Sequence, residues 1–442
     1  MQEICLEDGV GIALDALLSD RLALLAGAGL SMAAPSSLPS AATLAAAAKQ
    51  KYDAIHGTTR QPLPVSVEEQ AEFFFQRGEL GTVYFRTLID QNAFAGYPNP
   101  GHHAVADLLL VGGIQTGVTT NVDTLVETAG QLLRGQIGAG IDLTAVATLP
   151  PDIAPLLKIH GCRAIDPMNM VWASGQLGAE PVAGRIASSA QWLNIRLLDR
   201  DLLIVGYWTD WDYLNEILAT VLGTVRPARV VVVDIADGAT FAEKAPELSA
   251  LGARAERAFL HVRESGASFL AALRLAFSKS FVRRVLHGGR QAYRDTTGAY
   301  PPDAFTEPPQ LNNDIYWQVR RDLEGRGPTE PARELNPPDE PLLGLTLLQL
   351  RGGGAIADGA YWAIGEKRVR VLRASNKPLH LVQAAFERET APAVAPDIVI
   401  AVGAEASALP VNIARATTKA TIARGNLSRW LTRIDAVQEL NL

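Results

Sequence analysis

Short apolar runs recur up to residue 234 and constrain the fold more than any other feature of the sequence. None of them alternates between apolar and polar residues, which is typical of parallel strands buried on both faces. Parallel strands need crossover connections, and segments with a helical pattern, such as residues 41–54 and 100–110, separate the runs. The runs cover residues 22–26, 114–120, 202–206 and 229–234. We therefore predict a Rossmann-like, doubly wound parallel α/β domain over residues 1–285.

The character of the sequence changes after this region. Paired prolines occur at 301–302, 308–309 and 337–338, with few apolar runs between them. Because proline disrupts both helices and strands, we predict that residues 286–341 form a connector. Apolar runs return from residue 342 onward, so residues 342–442 are predicted to form a smaller α/β module. That module carries no catalytic constellation, and we expect it to serve assembly or regulation.

Composition excludes several classes of protein. Hydrophobic residues make up 48% of the chain, which is ample for a core. The formal net charge of −7 argues against a generally basic nucleic-acid-binding protein, so we expect no direct nucleic-acid binding. Acidic residues precede the first apolar segment, unlike in a secretory signal, and no apolar stretch reaches the roughly 18 residues of a membrane span. We expect a cytoplasmic protein that does not enter a membrane.

The cysteine and histidine content argues against a metal site. The two cysteines, Cys5 and Cys162, lie too far apart in sequence to form a zinc cluster or a disulfide framework. No pair of histidines has metal-ligand spacing together with a third ligand. We therefore expect no bound metal.

A glycine turn follows the first apolar run, in the sequence LALLAGAGLS. Gly27 and Gly29 allow backbone amides to approach an anionic group closely, and the next segment can direct a helix N-terminus toward it. Dinucleotide-binding turns usually read G-x-G-x-x-G, and Met32 stands at the third glycine position here. Taken alone, the turn is equally well explained as an ordinary tight turn.

Two polar side chains follow the second apolar run, in the sequence TTNVDTLVETAG. Asn121 and Asp123 lie just past the predicted carboxyl end of the strand, which is the edge of an open α/β sheet where ligands bind. Asn121 can hydrogen-bond a ribose or a water, and Asp123 can accept from a carboxamide. The alternative is that Asp123 or Thr124 caps the next helix.

His160 stands in the sequence KIHG, after a short apolar run and before a glycine. It is therefore predicted to lie at another strand end. Imidazole is the usual general base near neutral pH, although a lone histidine is also often structural. The sequence contains no nucleophile elbow and no Walker-type phosphate loop.

Taken in order, these motifs resemble the sirtuin superfamily over about residues 20–235. Five features carry the resemblance: a GAGxS loop, a PNxxH-like helix start, a T-x-N-x-D strand end, an HG pair after an apolar run, and a late strand that ends in glycine. In this chain they are the GAGLS segment, Pro98 with Asn99 and His102, the TTNVD segment, His160 with Gly161, and Gly206. The match of five ordered motifs is more specific than any one of them.

The resemblance implies a role for each matching residue. The GAGLS loop would hold the NAD phosphates, and Gly206 would lie near the adenosine. Asn121 would orient the nicotinamide ribose or the attacking water, Asp123 would bind the nicotinamide carboxamide, and His160 would be the general base. The loop residues that carry this expectation are Gly27, Ala28, Gly29 and Ser31.

The chain departs from sirtuin deacylases at two points. Deacylases carry a four-cysteine zinc module after the HG pair, whereas this interval holds only Cys162. They also carry an arginine shortly after the GAGxS loop, where this chain reads SLPS. In these respects it looks like the sirtuin-like NADases of bacterial anti-phage defence. That resemblance implies a homo-oligomer and a partner such as a translocase-type ATPase or a short Argonaute.

The expected function is therefore hydrolysis of NAD+ to nicotinamide and ADP-ribose, with NAD as the substrate and activity that depends on a trigger. Two alternatives stay open. A protein deacylase or ADP-ribosyltransferase would release nicotinamide only when its acceptor is present. A non-catalytic subunit that senses NAD or ADP-ribose would bind without turnover, although such a subunit needs neither Asn121 nor His160.

Overall fold

The computed structural model describes residues 1–57, 61–150, 153–207, 212–325, 339–387, 395–405 and 428–442. The chain divides into two compact units, Met1–Leu273 and Arg274–Leu442. In the described part of the chain, no helix is long and apolar enough to cross a membrane.

The first unit contains a fully parallel sheet, which has eight strands in the described residues. The strands lie in the spatial order β1-β8-β7-β6-β2-β3-β5-β4. Their bounds are β1 Gln2–Ile4, β2 Leu22–Ala26, β3 Ile114–Thr119, β4 Gly138–Gly140, β5 Pro155–Lys158, β6 Asp201–Val205, β7 Arg229–Asp234 and β8 Ala258–Arg263. The central strands β2 and β6 are buried along their whole length, as their uninterrupted apolar sequence predicts.

Helices cover both faces of this sheet, which confirms the predicted Rossmann-like fold. Helix α1 packs against β2, β6 and β8, and α5 packs against β3, while α8, α9 and α11 share one hydrophobic core with alternate residues of β2 and β6. The helices of this unit are α1 Leu6–Leu18, α2 Gly29–Met32, α3 Ala41–His56, α4 Val67–Phe75, α5 Pro100–Leu110, α6 Leu125–Leu132, α7 Leu143–Ala147, α8 Val182–Arg196, α9 Asp212–Leu222, α10 Gly238–Lys244 and α11 Pro246–Ala253. Helix α12, Gly266–Gly288, runs across the boundary between the units.

The order of the strands places a topological switch point between β2 and β6. From β2 the chain continues to β3 on one side, and from β6 it continues to β7 on the other side. In open α/β sheets the crevice at the carboxyl ends of two such strands is where ligands bind. The segment Gly27–Ser31 follows β2 and Gly206 follows β6, so both lie at this crevice.

A small helical lobe is inserted between β2 and β3. It consists of α3, α4, a π-helix at Leu80–Leu88 and a 3₁₀-helix at Gln91–Phe94. The predicted helix at 41–54 is present, but its buried alanines belong to the core of this lobe and not to the sheet. Aromatic residues fill that core, with Phe74 stacked on Tyr84 and Trp172 at the edge of Phe85.

The second unit contains a smaller mixed sheet in the order β13-β12-β11-β10-β9, which confirms the predicted smaller α/β module. Strands β11, β12 and β13 are parallel, and β10 is antiparallel to β9 and β11. The strands are β9 Ile356–Asp358, β10 Tyr361–Ile364, β11 Lys367–Arg373, β12 Ile398–Val402 and β13 Arg429–Thr432. The helices are α13 Arg290–Thr297, α14 Asp303–Thr306, α15 Asn313–Glu324, α16 Glu340–Gly352, α17 Leu379–Glu387 and α18 Arg433–Leu440.

The proline-rich stretch contains more regular structure than its composition suggests. Helices α13, α14 and α15 lie in it, and Tyr316, Val319 and Leu323 are buried in the core of the second unit. Residues 326–338 of this stretch lie outside the described residues. The domain limits at residues 285 and 341 therefore stay predictions, while the compact units meet at Leu273.

Candidate functional site

Three glycines bring the ends of β2 and β6 into contact. A Cβ atom on Gly27 or on Gly29 would lie 2.7 Å from the carbonyl oxygen of Gly206. Gly206 itself has φ +61°, and a Cβ atom there would lie 2.5 Å from the Leu30 amide nitrogen. A side chain at any of these positions would push the two strand ends apart.

The backbone amides of Gly27, Gly29 and Ser31 already have acceptors within the protein. Gly27 donates to the Val205 carbonyl at 2.9 Å, and Gly29 donates to the Gly206 carbonyl at 2.8 Å. The Ser31 amide donates to the Ala28 carbonyl at 3.0 Å. The glycines thus serve the close approach of two strand ends, and a phosphate-binding role for Gly27, Ala28 and Gly29 remains a proposal.

The hydroxyl of Ser31 is the centre of a buried polar network. It donates to Asp123 Oδ2 at 2.8 Å and accepts from Asn121 Nδ2 at 3.0 Å. His102 Nε2 lies 3.1 Å from the same oxygen. All four side chains are at most 9% exposed. Asn121 and Asp123 lie 90 and 92 positions after Ser31 in the sequence, and both bond to the Ser31 hydroxyl oxygen.

The hydrogen bonds around His102 define its tautomer. Its Nδ1 accepts from the backbone N–H of Asn99 at 3.2 Å, so the ring proton lies on Nε2 and is donated to Ser31. Burial lowers the pKa of His102 to about 4, with Asp123 opposing the shift and His103 adding to it. His102 is therefore neutral at pH 7. It also forms a capping box with Asn99 at the start of α5.

Asp123 and Asn121 differ in how completely they are bonded. Asp123 Oδ1 accepts from the Leu125 backbone N–H at 3.0 Å at the start of α6, where the N-cap residue is Thr124 and its side chain makes no capping bond. The Asn121 backbone N–H donates to Thr119 Oγ1 at 3.0 Å, yet the side-chain Oδ1 of Asn121 is buried without a hydrogen-bond partner. A buried carbonyl oxygen without a donor is unfavourable, and it marks a position where a ligand can supply one.

His160 lies at the end of β5, as predicted, and is 4% exposed. It hydrogen-bonds the Thr120 backbone, while its Nε2 is buried and has no partner. Burial and, to a smaller extent, the nearby Arg185 guanidinium lower the pKa of His160 to about 3, against the opposing effect of the Thr120 bond. The ring also packs against Tyr213, with 5.6 Å between the ring centroids. His160 is therefore a neutral imidazole with a free lone pair.

The structure thus gathers the predicted residues into two adjoining groups. Gly27, Gly29 and Gly206 hold the ends of β2 and β6 together. Asn121, Asp123 and Ser31 share one hydrogen-bond network, and β3 and β5 are neighbours, so His160 follows the adjacent strand. Ala28 lies within the glycine turn and is exposed.

Two side chains at the site are absent from the sequence-based set of site residues. The contact between His102 and Ser31 spans 71 positions, and its only signal in the sequence is the PNxxH-like helix start. Arg185 lies on α8 in a segment without a recognisable motif, and its Nη2 donates to the Asn169 carbonyl at 3.0 Å. Among the described residues, no three histidine, cysteine or acidic side chains are grouped as metal ligands.

The chain is similar in fold to several solved structures at low sequence identity. No protein-family model matches the chain, and no curated protein matches it. Among solved structures, a protein from a study of sirtuin substrate affinity is 14% identical, with a TM-score of 0.34, and covers 59% of this chain and 96% of its own length. A Sir2–p53 peptide–NAD+ structure is 15% identical, with a TM-score of 0.33, and covers 59% of this chain and 95% of its own. A structure from a study of the mechanism and regulation of Sir2 enzymes is 16% identical, with a TM-score of 0.28.

Proposed function

We propose that this chain hydrolyses NAD+ to nicotinamide and ADP-ribose at the carboxyl edge of its parallel sheet. The observation that carries the proposal is the buried network in which Asn121 and Asp123 meet at Ser31. Beside it lies a neutral His160 at the end of the neighbouring strand. Asn121 Oδ1 and His160 Nε2 are both buried without a partner, which is the state expected of groups that bind a substrate and a water. The ordered sirtuin-like motifs support the same assignment.

The dinucleotide would lie across the switch point between β2 and β6. The Gly27–Ser31 turn would contact the phosphates, and Gly206 would lie near the adenosine. Because the Gly27 and Gly29 amides already donate within the protein, their contribution would be close backbone approach and not hydrogen bonds to phosphate. NAD is thus a substrate, and the proposed reaction needs no metal.

The nicotinamide end of the substrate would bind at Asp123. Its carboxylate is acceptor-only when ionised and would accept from the carboxamide NH₂. At present Asp123 Oδ2 accepts from Ser31, so the hydroxyl must share this acceptor or rotate away from it when the carboxamide binds. The site thereby holds the leaving group and the anomeric carbon in a fixed orientation.

The chemical step would be attack of water on the anomeric carbon through an oxocarbenium-like state. As the C–N bond breaks, its electron pair neutralises the pyridinium ring, and nicotinamide leaves as a neutral base. Asn121 would orient the water, and His160 Nε2 would accept its proton. A positioned base contributes roughly 10²–10⁴-fold, and a base with a pKa of about 3 belongs at the lower end of that range.

The biological setting is proposed from the resemblance alone. An enzyme that destroys NAD would be harmful to its own cell unless it stays inactive until a trigger arrives. We propose an effector of anti-phage defence that assembles as a homo-oligomer and is controlled by a partner, an ATPase or a short Argonaute.

The decisive test is an NAD+ turnover assay with and without an acyl-lysine peptide, in which nicotinamide and ADP-ribose are separated by chromatography. We expect equal amounts of both products without the peptide. Nicotinamide release that requires the peptide would favour a deacylase, and NAD binding without turnover in the presence of the trigger would favour a sensing subunit.

A further inference from the structure

Lys158 is a buried lysine that the proposed reaction does not use. It is the last residue of β5 and comes two positions before His160. Its side chain is 1% exposed, which is unusual for a lysine. Burying an ammonium group lowers stability unless the group is paired and hydrogen-bonded. The contacts of Lys158 therefore indicate the role of the buried charge.

The Lys158 ammonium makes two contacts, and both involve the segment that carries Asp123. It donates to the backbone carbonyl oxygen of Asp123. It also donates to Glu127 Oε1 at 2.7 Å, and Glu127 lies in the first turn of α6. One cation therefore connects the end of β5 to the loop between β3 and α6.

Electrostatics keep this lysine charged. Burial alone would lower the pKa of Lys158, but Glu127, Cys162 and Asp123 outweigh burial and raise it above its usual value. The ammonium can then act as a permanent donor to the Asp123 carbonyl. Because that carbonyl belongs to the same residue as the carboxylate bonded to Ser31, fixing it restricts the direction in which the Asp123 side chain leaves the main chain.

We propose that Lys158 is a positioning residue that holds the Asp123 main chain in a fixed place relative to His160. The inference rests on the proposed function, because it assigns Asp123 to the nicotinamide carboxamide. An ordinary structural ion pair would need only Glu127. The additional bond to Asp123 is what links the two strand ends that carry Asn121, Asp123 and His160. A misplacement of about 1 Å at such a site can lower the rate by about 10²-fold.

The experiment compares two variants with the parent chain. The double variant Lys158→Met/Glu127→Leu removes the cation together with its carboxylate and keeps the space filled with apolar groups, which is often neutral for stability. The single variant Glu127→Gln retains an acceptor for Lys158 and leaves the bond to Asp123 in place. Lys49→Met, which removes the lysine of a more exposed ion pair with Asp53, is the control for loss of a lysine.

In the double variant we expect kcat to fall at least about 10-fold. Its affinity for ADP-ribose, which lacks the nicotinamide, should stay within about twofold, and its Tm should stay close to that of the parent. Glu127→Gln and Lys49→Met should keep the parent kcat within about threefold. If the double variant does not fold, Lys158→Arg replaces it. That change keeps the charge but moves the donors, and we expect the same pattern.

A second measurement separates this inference from the proposed reaction. Nicotinamide affinity in the presence of saturating ADP-ribose reports on Asp123 even in a chain without turnover, and it should weaken in the double variant. Unchanged kcat and unchanged nicotinamide affinity in a folded double variant would overturn the positioning role. A parallel loss of ADP-ribose affinity and Tm would show a merely structural pair. Lack of NAD+ turnover in the parent chain in the presence of its trigger would instead contradict the proposed function.

Discussion

At the scale of single residues, the Ser31 hydroxyl uses its full hydrogen-bonding capacity. A hydroxyl has one donor and two acceptor positions, and here it donates to Asp123 while accepting from Asn121 and His102. The arrangement requires a neutral His102 with its proton on Nε2, which agrees with its low pKa. Ser31 is therefore not activated as a nucleophile, since its histidine neighbour donates to it.

The environment of His160 predicts an unusual pH dependence. To accept a proton, His160 must be neutral, and burial together with Arg185 lowers its pKa to about 3. It therefore stays neutral throughout the range in which the protein would be assayed. We expect kcat/KM, which reports the free enzyme, to stay flat between about pH 5 and pH 8. Steady-state NAD+ hydrolysis in constant-ionic-strength buffers measures this. A loss of activity as the pH falls, with a midpoint near pH 6.5, would contradict a base whose pKa is lowered to about 3.

The sequence predicted which residues lie at the site better than it predicted which side chains they hydrogen-bond. Asn121, Asp123 and His160 each follow an apolar run, and the structure places each of them at a strand end. Their roles in catalysis remain predictions. The bond from Ser31 to Asp123 spans 92 positions, and the contact with His102 spans 71. Contacts at that separation depend on strand order, which no local pattern reveals.

At the scale of elements, the contact between the ends of β2 and β6 depends on the missing side chains of Gly27, Gly29 and Gly206. The Cβ positions of the first two are occupied by Gly206 backbone, and the third also has a positive φ. The same glycines that suggest phosphate binding in the sequence are therefore already required by packing. The packing explains their presence whether or not NAD binds.

A pair of glycine substitutions tests this packing. Gly206→Ala adds a Cβ atom 2.5 Å from the Leu30 amide nitrogen and forces alanine into φ +61°. We expect it to lower the free energy of unfolding by at least about 1–3 kcal/mol. Gly11→Ala is the matched control, because its Cβ atom would meet nothing within 4 Å in helix α1. Removing a helical glycine there should raise stability by about 0.5–1 kcal/mol.

Urea unfolding of both variants provides the measurement. Equal stability of the Gly206→Ala variant and the parent chain would mean that the two strand ends separate easily, and that the described contact does not define the site.

The strands were easier to predict from the sequence than the packing of the helices. The apolar runs at 22–26 and 229–234 coincide with β2 and β7, because strands buried on both faces need continuous apolar sequence. The run at 342–350 is part of helix α16, since a short apolar run does not distinguish a buried helix from a strand. The helical lobe around α3 was not anticipated, because its alanine-rich sequence does not reveal which surface it packs against.

At the scale of the whole molecule, the buried neutral histidines couple folding to pH. His102 and His160 have pKa values of about 4 and about 3 when folded, against 6.5 when exposed. At pH values between the folded and unfolded pKa, the unfolded chain binds more protons than the folded chain. The free energy of unfolding that these histidines contribute is therefore fully present above pH 6.5 and decreases as the pH falls toward 4. Each histidine contributes a slope of up to about 1.4 kcal/mol per pH unit.

Thermal unfolding between pH 4 and pH 8 tests this coupling. We expect His102→Asn to show a shallower decrease of Tm with falling pH than the parent, whatever its stability at pH 8. His287→Asn, which changes an exposed histidine of α12, should keep the parent slope. Identical slopes in the His102→Asn variant and the parent would mean that His102 is not neutralised by folding.

In the proposed function, Asn121 and His160 act together on the bond between nicotinamide and ribose. The most direct measurement is the rate of nicotinamide and ADP-ribose release by the activated parent chain, Asn121→Ala and His160→Ala. Asn92→Ala and His287→Ala are exposed controls. Each site variant should lose at least ~100-fold in turnover while keeping its fold and its affinity for ADP-ribose, and the controls should keep the parent rate. Parent rates in folded Asn121→Ala and His160→Ala variants would contradict the assignment of this site.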